Sequence, residues 1–92
     1  MSVVKIPTVL RPQVGGNREV ELTGSTVGEV VIALTTAYPS LSSQLLTAEG
    51  ELNRFVNVYV NGQDVRYLAG LETPVAERDE VRLLPAMAGG AR

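Results

Sequence analysis

The chemistry this sequence offers lies at its carboxyl end, where Ala86-Met87-Ala88-Gly89-Gly90 is followed by Ala91-Arg92. A glycine pair placed just past an apolar strand, Val81-Arg82-Leu83-Leu84-Pro85, makes a tether without side chains. Lacking a Cβ, it can thread a channel too narrow for any other residue. The group such a tether delivers is a main-chain carboxyl, handed into the active site of another protein. Fully extended at about 3.3–3.6 Å per residue, the stretch 86–90 reaches roughly 17 Å beyond a folded body. A glycine pair at a chain end is also what an ordinary frayed terminus looks like.

Other chemistries are excluded by composition. The 92 residues include no cysteine and no histidine. That removes a disulfide framework, a thiolate nucleophile, a Cys/His zinc site and imidazole as a general base. The carboxylates Glu49, Glu51, Asp64, Glu72, Asp79 and Glu80 show no catalytic pairing and read as solvated turn residues. The sequence therefore assigns no catalytic residue, no metal ligand and no bound cofactor. With a net charge of -2 and eight basic residues spread without a run, nothing points to nucleic acid. There is neither a signal-peptide pattern nor an apolar run of membrane-spanning length, so a soluble cytoplasmic protein is expected.

The elements that must hold the tether follow from periodicity. Val3 to Leu10 reads as a strand with Val4, Ile6 and Leu10 on one face, and Pro7 as a bulge or unpaired position. Arg11 to Asn17 reads as a turn and Arg18 to Leu22 as a second strand, closing a hairpin. Thr26-Val27-Gly28-Glu29 is a capping box. From it a helix runs with Val27, Val30, Val31, Leu34 and Tyr38 on its apolar side, and Pro39 stops it. Ser40 to Asn53 is a connector with a short helical turn around Leu41 to Leu46. Phe55 to Val60 is a strong strand closed by Asn61-Gly62, Val65 to Leu68 a short edge strand, and Val81 to Pro85 the last strand. One helix with four or five strands fits an α+β fold, a mixed sheet curled over one main helix.

Alternation sharpens the picture around the tether. Val56, Val58 and Val60 point to the helix, so Phe55 and Tyr59 point away. If Val81 and Leu83 join the core, Arg82 and Leu84 face outward with them. Phe55, Tyr59, Arg82 and Leu84 then form an apolar docking patch with a basic rim. The competing expectation is that the 40–53 connector covers Phe55 and Tyr59 as a minor core.

Three stretches resemble the ThiS/MoaD sulfur-carrier family: residues 4–12, residues 54–61, and Asp79-Glu80 through Gly89-Gly90. The first two are most similar to its CysO-type carriers of cysteine biosynthesis. The resemblance implies a ubiquitin-like β-grasp domain over residues 1–86 and a flexible C-terminal tail over residues 87–92. It implies that Gly90 bears a thiocarboxylate at the end of a tail in which Gly89 lets the last link thread a narrow tunnel and Met87 and Ala88 line the tunnel mouth. It further implies a ubiquitin-activating-like adenylyltransferase/sulfurtransferase that uses ATP and a sulfur donor. A pyridoxal-phosphate cysteine synthase, or another acceptor enzyme, would take the sulfur, and a JAMM-type zinc metalloprotease would release the product. The carrier would be a co-substrate of those partners, not an enzyme.

Ala91-Arg92 departs from the family pattern, which works from a free Gly-Gly end. The dipeptide is expected to be removed by processing. Two other readings stay open: an addition of cloning, or a domain that has given up carriage for binding alone. Alternatives of function also stay open: sulfur donation to another metabolite, a small subunit of a molybdopterin-synthase-like complex, or a ubiquitin-like protein modifier.

Overall fold

The computed structural model describes residues 2–85. Its strands are β1 (Ser2–Lys5), β2 (Glu19–Leu22), β3 (Val56–Val60), β4 (Gln63–Asp64) and β5 (Glu80–Pro85), and its helices α1 (Val27–Ala37) and α2 (Ser42–Leu45). The strands form one five-stranded sheet in the order β2-β1-β5-β3-β4. β1 and β5 are parallel, and the other pairs are antiparallel. The last strand thus lies in the middle of the sheet, held on both sides. This is the expected α+β mixed sheet over one main helix.

α1 starts as its capping box dictates. The Thr26 hydroxyl accepts the Glu29 N–H at 3.2 Å, and the Glu29 carboxylate accepts the Ser25 N–H at 2.7 Å. Val27, Val30, Val31 and Leu34 are buried in one hydrophobic cluster with Val56, Val58, Val60, Val81 and Leu83 of the sheet. The Asn61-Gly62 turn has both residues left-handed, φ 51° and 87°, matching the twist that a two-residue hairpin needs.

Three segments differ from the sequence expectation. The first strand ends at Lys5 instead of Leu10. Ile6 makes one more rung, its N–H donating to the Arg18 carbonyl at 2.8 Å. Pro7 has no N–H to continue the ladder, and Thr8–Val14 winds into a 3-10 helix, with the Leu10 N–H on the Pro7 carbonyl at 3.0 Å. Leu10 and Val14 still reach the core, from that turn rather than from a strand. The edge strand is Gln63–Asp64, and Val65–Tyr67 is a 3-10 turn instead of the strand expected over Val65 to Leu68. The Asp64 carboxylate accepts the Arg66 N–H at 2.8 Å and caps that turn. The connector holds the helical turn it was expected to, but Leu41 and Leu45, both fully buried, enter the main core.

β5 is anchored at its start by a small polar knot. Asp79 accepts the Ala76 N–H at 2.8 Å and the Asn61 amide at 2.9 Å, while Asn61 Oδ1 accepts the Glu80 N–H at 3.0 Å. The backbone hydrogen bond, and after it the Asn61 amide, hold the Asp79 carboxyl below its ordinary range. Asp79 and the first residue of β5, Glu80, therefore clamp that strand to the β3–β4 turn.

Candidate functional site

β5 runs up the centre of the sheet to Pro85, and its outward side chains Arg82 and Leu84 lie on the open face near that end. In the β3–β5 ladder Tyr59 stands opposite Arg82 and Asn57 opposite Leu84. Val58 and Leu83, one residue away on each strand, are 0% and 1% exposed, while Leu84 is 38% exposed. The alternation assigned from sequence therefore holds in the structure. Phe55 precedes β3 and is 48% exposed, so the connector does not cover it as a minor core. Tyr59 is half-buried.

Two members of the patch, Phe55 and Arg82, each have a charged neighbour. The Arg54 guanidinium sits 5.2 Å from the centre of the Phe55 ring, a cation–π contact. Arg82 pairs with Glu80 two residues earlier on the same face, at 3.1 Å. Arg66 was missed by sequence reasoning. Its guanidinium donates to the Asn57 carboxamide oxygen at 2.7 Å and to the carbonyls of Asn53 and Val56, each at 2.9 Å. Those two carbonyls flank Phe55, so Arg66 fixes the backbone that presents the ring. Only its place after a turn could have hinted at it, because its acceptors are main-chain atoms.

Of the carboxylates considered in the sequence, Asp64 caps a turn, Asp79 closes the knot and Glu80 pairs with Arg82. Among the described residues, no group of three or more acidic side chains is arranged to hold a metal ion. No described helix is long and apolar enough to cross a membrane. Met87, Ala88, Gly89 and Gly90, with Ala91 and Arg92, lie outside the described residues, as does the expected boundary between domain and tail.

A five-stranded mixed sheet with its last strand at the centre, closed on one face by a single main helix, defines the β-grasp class of small domains. The chain belongs to the ThiS family, whose model matches residues 4–90 and so ends on the second glycine. It is 47% identical over 89 residues to the sulfur carrier protein CysO of Mycobacterium tuberculosis, covering 95% of this chain and 96% of that one. A chain of the crystal structure of the Amycolatopsis orientalis BexX/CysO complex superposes with a TM-score of 0.89 at 42% identity, covering 98% of this chain and 100% of that one. Small archaeal modifier protein 1 of Haloferax volcanii is 36% identical over 81 residues, covering 85% and 88% of the two chains. The architecture is thus the ubiquitin-like β-grasp, and the closely similar relatives are named as carriers rather than enzymes.

Proposed function

We propose that this chain is a CysO-type sulfur carrier working from the carboxylate of Gly90 once Ala91-Arg92 is removed. The single observation that supports it most is the family match running through both glycines to residue 90. With Arg92 attached, the carboxylate sits on a bulky cationic residue that a glycine-shaped channel excludes. Trimmed, the Gly90 carboxylate attacks the α-phosphorus of ATP in the active site of a ubiquitin-activating-like enzyme and pyrophosphate leaves. Sulfide then displaces AMP and leaves a thiocarboxylate. A persulfide donor instead gives an acyl disulfide, which a second thiol of the partner cleaves to the thiocarboxylate as it forms a disulfide with the donor sulfur. The thiocarboxylate sulfur adds to an aminoacrylate held by a pyridoxal-phosphate cysteine synthase. The acyl group of the resulting thioester shifts from sulfur to the cysteine nitrogen, and a JAMM-type protease hydrolyses that amide to free the cysteine. Adenylation, cofactor and acid–base chemistry all belong to the partners, which fits a chain without His or Cys. Phe55, Tyr59, Arg82 and Leu84 form the surface those partners grip, and the setting is cytoplasmic.

The test is ATP–pyrophosphate exchange by the activating enzyme with two forms of the protein. The form ending at Gly90 is expected to support exchange and the Arg92-ended form to be inert. Comparable exchange by both forms sinks the processing step. The likeness to an archaeal modifier protein favours one second reading, attachment of Gly90 to lysines of target proteins. It predicts high-mass conjugates in lysates that vanish on deletion of Gly90.

A further inference from the structure

Basic residues that look scattered in sequence are gathered by the fold. Of the eight lysines and arginines, Lys5, Arg11, Arg18 and Arg82 line one open groove of about 750 Å³, with Glu19 as the single carboxylate in its wall. Two features of the fold bring them together. The parallel pairing of β1 with β5 sets Lys5 directly beside Arg82. The 3-10 turn that replaces the end of the expected first strand swings Arg11 back over it, its Nε donating to the Ile6 carbonyl at 3.1 Å. Lys5 is paired with Glu19 and Arg82 with Glu80, but the Arg18 side chain has no partner among the described residues and is exposed.

Like charges set side by side on neighbouring strands destabilise a sheet unless something compensates them. Here two neutralising partners leave a cationic excess in a chain whose net charge is negative. Its position tells what meets it. Leu84 forms part of the groove wall and β5 ends one residue later, so the groove opens at the base of the segment leading to Gly90. Whatever takes Gly90 into its active site must lay the rim of its entrance against this surface.

We propose that the groove receives an acidic segment, an Asp/Glu-bearing loop at the mouth of the tail-receiving site of the activating enzyme. This rests on the carrier reading above. Phe55, Tyr59 and Leu84 grip one side of the entrance, and the cations orient and steer the other.

The test uses the chain ending at Gly90 with the adenylyltransferase from the same organism, measured by ATP–pyrophosphate exchange at several salt concentrations. Arg18→Glu is expected to raise the KM for the carrier about tenfold with kcat unchanged. Arg18→Lys should stay near wild type, as should Arg78→Glu, an exposed cation outside the groove. Wild-type KM should rise with salt more steeply than that of Arg18→Glu. An unchanged carrier KM for Arg18→Glu overturns the proposal and leaves the carrier reading standing. A rise in the KM for ATP instead also overturns it, because the groove would then serve the nucleotide's phosphates. Absence of exchange with the wild-type Gly90 form sinks the carrier reading, and the groove proposal falls with it.

Discussion

The two faces of the β3–β5 ladder are made from alternate residues of the same two strands, yet they are built for opposite ends. On one face Val56, Val58, Val60, Val81 and Leu83 are nearly solvent-free and packed into the cluster that α1 closes. On the other, Tyr59 stands opposite Arg82 and Leu84 is open to solvent, with Phe55 beside them. The inner face is β-branched or leucine throughout, side chains that fill space and form no hydrogen bonds. The outer face mixes an aromatic, a cation and a leucine, the composition of recognition surfaces. In so small a domain, strength and recognition are separated by one residue of register. A one-residue slip of β5 would exchange the two roles.

That separation can be broken or sharpened by substitution. The largest effect is expected from Leu83→Ala, which should cost about 2–5 kcal/mol in urea unfolding, whereas Leu84→Ala next to it should cost under about 1 kcal/mol. Equal costs would abolish the distinction between the faces. Phe55→Asp comes next. It should weaken binding to the activating enzyme by about tenfold or more, read by titration calorimetry, and leave stability within about 0.5 kcal/mol. Unfolding of that variant would place Phe55 in the core after all. Removal of the α1 cap by Thr26→Ala should cost about 1 kcal/mol, because α1 covers only the inner face, and should leave partner affinity untouched.

The smallest effect concerns the knot that starts both faces. Asp79 is held below its ordinary pKa in the folded state, so its contribution is present above the unfolded value. It is lost as pH falls through the lower folded value. Asp79→Asn should therefore slightly lower stability at neutral pH, flatten the acid limb of the stability–pH curve below about pH 4, and bring variant and wild type together in acid. An acid limb identical to wild type would contradict the clamp.

The legibility of these features in sequence follows the range of the interactions that make them. The inner face of β3, the capping box and the Asn61-Gly62 hairpin depend on residues within a few positions of each other, and all three were readable. Val14, Leu41 and Leu45 were not, because each enters the core from a helical turn too short to show a period. Val65 to Leu68 looked like a strand by apolar content, but the Asp64 side chain decides for a 3-10 turn, leaving Val65 buried and Tyr67 88% exposed. The juxtaposition of Lys5 with Arg82 arises from a parallel pairing between opposite ends of the chain, which no local pattern encodes. Gly89-Gly90 was the reverse case, plain in the sequence and lying beyond the described residues.

The central claim is that Gly90 is the working end, and intact-mass analysis of the untagged protein from its own cells tests it most directly. Carriage predicts a chain ending at Gly90, with a fraction in which sulfur replaces one carboxylate oxygen. A population still ending at Arg92, with no shorter form, would contradict it.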